Sequence, residues 1–486
     1  TRIHQSTWWW QSNFELIREA GHELMTETER RPNTMIALLE AQTAPVRLLV
    51  ARFAADTAAG LAYLNTDPEL RVHGTDPNDN FEVMLQANPT PAPLLGVYDA
   101  TPITVDFGAR VRANPAFAER TFAEDAGVIE AALETFDGSS YHQKCLTVGD
   151  SIAYISGMNV KSTDWDTAEH LVFDHRRMVF DATAEERAAV VARTALPDKG
   201  PRKDYGIRIE GPAARDVDDV MRVRWDLGIA TSAMFEGDAT AYDLLDPGAV
   251  KGTTTVQVVA TMPDPVAERS ILESQAKAVS QATDLIYIED QYFRAPVLDV
   301  VIADAMERNP NLALIVVTKP IALTDGGKKW TVISDNIFRS RFPDRYLLLQ
   351  LKNFDREDGE VYVQALDVHS KIITVDDVYL STGSANKNNR GMLYEGELNA
   401  AVHSQAFVAP ARQRILANLV GSDYAASLDG ATGKQILELM RTLSEENEAF
   451  VQAVLADPEK VGTPSGFVYP LEFSEEYLLE VGPDVF

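Results

Sequence analysis

The sequence predicts an α/β protein of two lobes, in which mixed β-sheets are flanked by helices and the two halves form an internal repeat. Apolar stretches of strand length alternate with helical stretches, and the same order of elements occurs twice. The 486 residues also exceed what one hydrophobic core usually holds. Proline and glycine interrupt the pattern near 245–265, so we expect lobes at residues 1–250 and 251–486.

The first half begins with a predicted strand over residues 2–10, which ends in three tryptophans. A helical pattern follows at 34–42, and an apolar strand is predicted at 46–53. Residues 64–100 are rich in Asn, Asp and Pro, which indicates a long loop.

The second half repeats this order of elements. Helices are predicted at 266–282 and 297–308, each followed by an apolar strand, at 284–293 and 311–320. The tail at 430–486 contains an amphipathic helix and an extended end, which we interpret as a packing extension.

The charge of the chain bears on its partners. It carries 44 Lys+Arg and 73 Asp+Glu, a net charge of -29. Such a surface repels polyphosphate, so we expect no nucleic-acid partner. Long uncharged apolar stretches are absent from the sequence, which predicts no transmembrane helix.

The compartment is left open by the sequence. The single cysteine, Cys145, excludes an intramolecular disulfide and is compatible with any compartment. The chain starts at Thr1 without a signal-peptide pattern. We therefore expect a soluble monomer, either secreted after removal of a leader or, alternatively, cytoplasmic.

Two segments with the same spacing carry the chemistry. The first contains His142, Lys144 and Asn159, and the second contains His369, Lys371 and Asn386. Histidine and lysine are two positions apart in both, and histidine and asparagine are 17 apart in both. Each segment reads as two short strands joined by a tight turn, and residues two apart in a strand project from one face.

These residue types suit phosphodiester chemistry. A neutral imidazole can attack phosphorus to give a phosphohistidine, while a protonated imidazole can donate a proton to the leaving oxygen. Lysine and asparagine donate hydrogen bonds to the other phosphate oxygens. Two sets facing each other would form one metal-free phosphate clamp, so we expect no metal and no cofactor.

This constellation resembles the phospholipase D superfamily, whose motif reads H-x-K-x4-D-x6-G-S-x-N. The second copy fits fully through His369, Lys371, Asp376, Gly383, Ser384 and Asn386. The first copy has Gly149 at the Asp position, followed by Asp150, and Ser156-Gly157 at the Gly-Ser position. We expect Asp150 to point to the opposite face of its strand, with a bulge at Gly149 as the alternative.

Flanking segments extend the resemblance over most of the chain. Residues 286–293 resemble the family's I-Y-I-E-N-Q-Y-F strand, with Asp290 for Asn, and residues 207–225 resemble the stretch after the first motif. The resemblance implies the two-lobe phospholipase D fold with pseudo-twofold symmetry. It also implies a carboxylate partner for each histidine: Glu397 for His369 and Asp204 for His142. Glu169 and Asp174 remain alternatives for His142.

The resemblance further implies roles for the other site residues. Lys144 and Lys371 would act with the histidines, whereas Asn159, Asn386 and Ser384 would bind the phosphate. The expected substrate pocket contains Trp8, Trp9, Trp10, Gln291 and Tyr292. Aromatic faces of this kind could hold a choline-like cation.

The predicted function is that of a phospholipase D, a phosphodiesterase that acts at a phospholipid membrane or micelle surface as a peripheral protein. It would hydrolyse glycerophospholipids, with phosphatidylcholine as the expected substrate, to phosphatidic acid and a free alcohol, with His142 as nucleophile and His369 as acid and then base. An alcohol in place of water would give transphosphatidylation. The alternatives are a cardiolipin synthase-like phosphatidyltransferase, a nuclease, which the net charge argues against, and a catalytically impaired lipid-binding protein, which Gly149 motivates.

Overall fold

The computed structural model describes most of the chain. The described residues are 2–19, 21–52, 55–56, 62–63, 65–76, 79–87, 102–104, 134–136, 140–230, 240–263, 266–323, 325, 327–474 and 476. The strands are β1 Ile3–Thr7, β2 Val46–Arg52, β3 Ala55–Asp56, β4 Ala62–Tyr63, β5 Phe81–Ala87, β6 Pro102–Thr104, β7 Glu134–Phe136, β8 Cys145–Val148, β9 Ile152–Ser156, β10 Arg202–Lys203, β11 Gly206–Glu210, β12 Thr255–Thr261, β13 Leu285–Asp290, β14 Ala313–Val317, β15 Tyr346–Glu357, β16 Glu360–Ala365, β17 Asp367–Val368, β18 Lys371–Val375, β19 Tyr379–Gly383, β20 Glu397–His403 and β21 Val468–Pro470.

The helices lie between and after these strands. The α-helices are α1 Glu27–Arg30, α2 Met35–Glu40, α3 Pro68–Thr75, α4 Ala184–Val191, α5 Ala213–Ala230, α6 Ser270–Ser280, α7 Pro296–Arg308, α8 Lys328–Arg341, α9 Asn389–Leu393, α10 Gln405–Val420 and α11 Gly433–Ala456. Short 3₁₀ helices occur at His22–Leu24, Arg31–Asn33, Ser162–Asp164, His175–Arg177 and Ala425–Leu428.

Two mixed β-sheets organise the molecule, and they have the same topology. The first has six strands in the order β5-β2-β1-β8-β9-β11. The second contains the order β15-β14-β13-β18-β19-β20, with β12, β16 and β21 added at its edges. In both, the first three strands of this order are parallel and the following pairs are antiparallel. The predicted mixed α/β class and its internal repeat are therefore confirmed.

The central strands form because their residues are apolar throughout. Residues of β13 and β14 are buried along the whole of both strands, as expected for strands covered on both faces. Helix α7 packs against α6, and the buried side of α7 includes Leu298, Val301 and Ile302. This helical layer belongs to the core cluster that covers one face of the second sheet.

The predicted elements are found close to their expected places, with one exception. Residues 65–87 were expected to be loop, but they contain α3 and β5. The reason is local: Asp67 caps α3 by accepting a hydrogen bond from Leu70 N at 3.1 Å, and Pro68 occupies the first turn. The same residue types that favour turns thus begin a helix here, while residues 88–100 lie outside the described part.

The two halves are joined at two places close to the repeated motifs. Strands β10 and β17 form a parallel pair, with Lys203 opposite Val368. A parallel bridge links Tyr141 to Gly396. Each connection places the residue before one histidine beside a segment of the other half.

The predicted boundary at 250/251 lies between α5 and β12, in residues without helix or strand. Among the described residues, no helix combines the length and the apolar character needed to cross a membrane.

Candidate active site

Both motif histidines line one cavity of about 390 Å³ between the two sheets. His142 lies three residues before β8, and His369 lies two residues before β18, so the repeat brings equivalent strand ends together. The cavity is lined by Trp8, Ser140, His142, Asn159, Lys161, Arg202, Gln291, Tyr292, Arg294, His369, Asn386, Asn388, Arg390 and Glu395. The two motifs are 227 positions apart in the chain, yet they form one site.

Each motif lysine is buried and turned back on its own motif. Lys144 Nζ donates to His142 O at 2.7 Å, and Lys371 Nζ donates to His369 O. Burial lowers the pKa of both ammonium groups, to about 7 for Lys144. A lysine with a lowered pKa gains most from an anionic ligand, because the ligand's charge favours its protonated form.

The carboxylate partners are crossed between the halves, contrary to the expected pairing. His142 Nδ1 is 2.9 Å from Glu397 Oε1, and His369 Nδ1 is 2.7 Å from Asp204 Oδ2. Neither Glu169 nor Asp174, the alternatives considered for His142, makes this contact; the carboxylate bonded to the ring is Glu397.

The backbone explains the crossing. His142 N donates to Gly396 O at 2.7 Å, and His369 N donates to Lys203 O at 2.8 Å. Each histidine is thus hydrogen-bonded to the residue immediately before the other half's carboxylate. Because Nδ1 of each ring faces a carboxylate, Nε2 is the ring nitrogen left for substrate chemistry.

Ser384 has a different role from the expected phosphate contact. Its hydroxyl donates to Glu397 Oε2, and the side chain is fully buried. The equivalent position in the first copy is Gly157, where a Cβ would lie only 2.5 Å from Asp204 Oδ1. The departure of the first motif from Gly-Ser therefore leaves room for Asp204.

Burial governs the titration of both pairs. It lowers the pKa of His142 and His369 well below the ordinary value and raises the pKa of Asp204 to about 7 and of Glu397 to about 8. Burial therefore favours the neutral form of both imidazoles. A neutral imidazole can act as a nucleophile. Because the carboxyl of each histidine–carboxylate pair has a raised pKa, the pair can hold one proton more than a neutral imidazole with an ionised carboxylate near neutral pH.

The two motif asparagines lie at the cavity wall. Asn159 Nδ2 donates to Asp164 Oδ2 at 2.9 Å, which fixes its side chain. Among the described residues, Oδ1 of Asn159 and Oδ1 of Asn386 are buried without a hydrogen-bond partner. The unused atom of each amide is an acceptor, so a phosphate oxygen would have to be bound through the Nδ2 donor.

The three N-terminal tryptophans have three different environments. Trp10 is fully buried in the core of the first half and donates to Ser12 Oγ at 2.9 Å, so its expected place in the substrate pocket is wrong. Trp8 lines the cavity with its ring 5.6 Å from that of His142. The ring of Trp9 is covered by Lys161 Nζ at 4.5 Å. Gln291 and Tyr292 line the cavity, as predicted.

Sequence reasoning missed the additional cations of the cavity. Lys161 follows Asn159 by two positions, and Arg390 follows Asn386 by four. Arg202 is the first residue of β10, two positions before Asp204, and Arg294 lies four positions after the end of β13. The proximity of Lys161 and Arg390 to the motifs was a usable signal, whereas the approach of Arg202 depends on the packing of the two halves.

The motif Asp position lies in a hairpin turn in both copies. The two predictions for the first copy, an Asp150 that faces away within a regular strand and a bulge at Gly149, are therefore both wrong. Gly149 is in the turn between β8 and β9 with φ of 65°, and Asp376 is in the turn after β18 with φ of 50°. The Asp376 carboxylate accepts hydrogen bonds from the backbone N–H groups of residues 283–285. Asp150 is an exposed turn residue rather than an inward or outward strand residue. In neither copy is this position in contact with the motif lysine.

One cluster beside His142 has the spacing of a metal site. Ligand atoms of His142, Glu395 and Glu397 lie within 4.8 Å of one another. Spacing along the sequence did not predict this cluster, because the glutamates and the histidine belong to different halves. Glu397 already faces the His142 ring, and Glu395 accepts from Ser140 Oγ at 2.8 Å and from Arg390. An ion at this place would compete with the hydrogen bond that orients His142.

Comparison with known proteins shows which families the chain resembles. A family model described as "Cardiolipin synthase, PLD-like domain" matches residues 276–418, which contain the second motif. Phospholipase D alpha 1 of Arabidopsis thaliana is 22% identical over 373 residues, covering 55% of this chain and 46% of the relative. Phospholipase D1 of Schizosaccharomyces pombe is 23% identical over 331 residues, covering 52% of this chain and 24% of the relative. These matches relate the chain to the phospholipase D superfamily, and the chain spans about half the length, or less, of these relatives.

The solved structures similar to this chain have low sequence identity to it and cover different shares of it. Phosphatidylserine synthase of Haemophilus influenzae aligns over 94% of this chain and 87% of that chain, with a TM-score of 0.46 and 12% identity. The phospholipase D family member Nuc of Salmonella typhimurium aligns over 33% of this chain and 91% of that chain, with a TM-score of 0.25 and 18% identity.

Proposed function

We propose that the protein is a phospholipase D that cleaves the headgroup-side phosphodiester of glycerophospholipids through a phosphohistidine. The observation that carries this proposal is the placement of His142 and His369 in one cavity with Nδ1 of each ring bonded to a carboxylate. This orientation supplies two Nε2 atoms to one phosphate, as a two-step displacement requires.

In the first step, Nε2 of His142 forms a bond to phosphorus while the bond from phosphorus to the headgroup oxygen breaks. His369 gives its proton to that oxygen, so the headgroup leaves as an alcohol. The pair of His369 and Asp204 can hold this proton near neutral pH, because burial raises the pKa of Asp204 to about 7. Binding of the anionic phosphodiester favours the proton on the imidazole.

In the second step, water attacks phosphorus and the phosphorus–nitrogen bond breaks. The proton of this water goes to His369, which acts as a base after acting as an acid. Lys144 and Lys371 stabilise the negative charge of the phosphate oxygens in both steps, and Asn159 and Asn386 add polar contacts. The products are phosphatidic acid and the free alcohol.

Two features support a lipid rather than a nucleic-acid substrate. The net charge of -29 opposes binding of a polyanion. A second cavity of about 470 Å³ adjoins the site through Arg202 and Asp204, and its apolar lining includes Met158, Ile207 and Phe407. Apolar volume beside a phosphate site suits an amphipathic substrate better than a polyanion.

The test is release of choline, ethanolamine, serine and glycerol from a lipid panel, with formation of phosphatidic acid measured in parallel. Plasmid DNA is the negative control for nuclease activity, and a His142→Ala, His369→Ala double variant is the control for contamination. Cleavage of DNA in preference to every lipid would contradict the proposal.

A phosphatidyltransferase is the second candidate, and the family model described as cardiolipin synthase favours it. The two activities share the first step and differ only in whether water or an alcohol attacks the phosphohistidine. Adding glycerol or phosphatidylglycerol to the assay and measuring the ratio of transfer to hydrolysis distinguishes them. A catalytically impaired protein is less well supported, because Gly149, which motivated that alternative, lies in a hairpin turn.

A further inference from the structure

Several cations besides the motif lysines belong to the site. Lys144 and Lys371 are buried, and four further cations line the cavity: Lys161, Arg202, Arg294 and Arg390. Glu395 is the single carboxylate among the lining residues given above. This concentration of positive charge stands in contrast to the net charge of -29 of the chain.

Three of these four cations have a carboxylate partner. Arg202 pairs with Asp367, Arg294 is 2.8 Å from Asp325 Oδ1, and Arg390 pairs with Glu395.

Lys161 differs from these arginines. Within the described part of the chain, its ammonium makes no ion pair or hydrogen bond, and its contact is the face of Trp9 at 4.5 Å. The equivalent position in the second copy is Asn388, which caps α9 through Gly391 N at 2.8 Å. Only the first copy of the motif therefore places a lysine, Lys161, at this position.

Two aromatic rings of the expected substrate pocket already carry a protein cation on one face. Lys161 lies over Trp9, and the guanidinium of Arg294 lies over Tyr292 with its carbon 3.7 Å from the ring centroid. A choline-like group needs such faces to be free, because the attraction comes from the ring quadrupole. It would also meet like charges in the same space.

The location of Lys161 relates it to the leaving group. Its electrostatic neighbours include Asp164, Arg202 and Asp367. Arg202 lies two residues before Asp204, and Asp367 lies two residues before His369. These neighbours relate Lys161 to the segments that carry Asp204 and His369, the pair that protonates the headgroup oxygen in the mechanism above.

We propose that the site selects phospholipids whose headgroup carries an additional anionic group, a carboxylate or a phosphate, and that Lys161 is the residue that recognises it. This inference rests on the proposed function and replaces the expected preference for phosphatidylcholine. An ammonium with unused donors forms a charge-assisted hydrogen bond to either anion. The arginines around it disfavour a cationic headgroup without needing to contact it.

The experiment compares dihexanoyl lipids as monomers, below their micelle concentrations, so that repulsion between the acidic protein and an anionic surface does not contribute. The substrates are phosphatidylserine, phosphatidylglycerol phosphate, phosphatidylglycerol and phosphatidylcholine. We expect kcat/KM for the better of the first two to exceed that for phosphatidylcholine by at least about tenfold, as one charge-assisted contact implies. Phosphatidylserine and phosphatidylglycerol phosphate distinguish carboxylate from phosphate recognition.

The key variant is Lys161→Gln, with Lys434→Gln as the matched control, because Lys434 is an exposed residue of α11 that does not line the cavity. Lys161→Gln should lower the ratio of kcat/KM values for the anionic lipid over phosphatidylcholine about tenfold, and Lys434→Gln should leave the ratio unchanged. Lys161→Glu should invert the preference. A wild-type preference for phosphatidylcholine, or an unchanged ratio in Lys161→Gln, would overturn the inference while leaving the phospholipase activity intact.

Failure of the proposed function gives a different result. If no lipid is cleaved, that function fails, and calorimetric binding of the same lipids to the His142→Ala protein still measures headgroup preference. Tighter binding of the anionic lipids, lost in a His142→Ala, Lys161→Gln double variant, would support the recognition site alone. Equal binding of all four lipids would refute it.

Discussion

The ring of His142 is hydrogen-bonded to Glu397, a carboxylate 255 positions away in the other half of the chain. His369 and Asp204 form the reciprocal pair, 165 positions apart. Each half therefore supplies a histidine and the carboxylate that orients the other half's histidine. Neither half contains a complete acid–base pair by itself.

The crossed pairing predicts a specific pattern of energetic coupling. In a double-mutant cycle on the free energy of unfolding, His142→Ala and Glu397→Gln should show a coupling energy of about 0.5–3 kcal/mol, because their side chains are in contact. His142→Ala and Asp204→Asn are the matched control and should be close to additive. Urea unfolding measures both cycles, and stronger coupling of His142 with Asp204 would contradict the pairing.

Because the pKa values of Glu397 and Asp204 are raised in the folded protein, the wild type should lose stability relative to variants without these carboxyls as pH rises. In the folded protein the pKa of Glu397 is about 8, so this carboxyl keeps its proton to higher pH than it does in the unfolded chain. Its contribution to folding stability is therefore fully present below about pH 4.5 and is lost as pH rises towards 8. Glu397→Gln does not titrate, so the variant's Tm should gain on that of the wild type between pH 5 and about pH 8, while turnover falls.

Calorimetry at several pH values tests this prediction, with Glu438→Gln on the exposed face of α11 as the control. Asp204→Asn should behave like Glu397→Gln, but its gain should be complete near pH 7. A difference in Tm that does not vary with pH would show that the buried carboxyl titrates normally.

The proposed mechanism predicts which histidine becomes phosphorylated. Either His142→Ala or His369→Ala should remove nearly all turnover, since each residue has its own step. Rapid acid-free quenching with a slow substrate, followed by mass spectrometry, should place the phosphoryl group on His142. An adduct on His369 would reverse the two roles and leave the two-step displacement in place.

The turn position of the motif predicts a structural role for Asp376. Asp376→Ala removes hydrogen bonds to three consecutive backbone N–H groups and should lower the free energy of unfolding by about 1–3 kcal/mol. Turnover should stay within about tenfold, roughly 1.4 kcal/mol of barrier, because Asp376 is not in contact with Lys371. Asp150→Ala, at an exposed turn, should change stability by less than about 0.5 kcal/mol.

Urea unfolding and kinetics of the two variants decide this point. A large loss of turnover in Asp150→Ala would show that the first turn contributes to the site.

The cluster of His142, Glu395 and Glu397 predicts the response to metal ions. Catalysis by the histidine pair needs no ion, so chelation should leave turnover of a soluble, monomeric substrate unchanged. Added Zn²⁺ should inhibit, because coordination of these three residues breaks the hydrogen bond between His142 and Glu397. Complete loss of activity in chelator, restored by one metal, would contradict the metal-free mechanism.

The sequence by itself determined the repeated hairpins and the identity of the histidines, lysines and asparagines in them. These features are local. In each copy, histidine and asparagine are 17 positions apart, and the apolar strands between them form a β-hairpin that carries the motif at its end. The same local signals predicted the α/β class, because an apolar strand followed by a helix must bury its faces in a layered sheet.

Only the tertiary structure decided which groups meet across the two halves. The partners of His142 and His369, the support of Glu397 by Ser384 and the position of Lys161 over Trp9 depend on how two separately formed sheets pack together. Local periodicity carries no information about such contacts: each carboxylate pairs with the histidine that is farther from it along the chain. The parallel bridge between Tyr141 and Gly396 and the pairing of β10 with β17 set the register between the halves, and that register crosses the pairs.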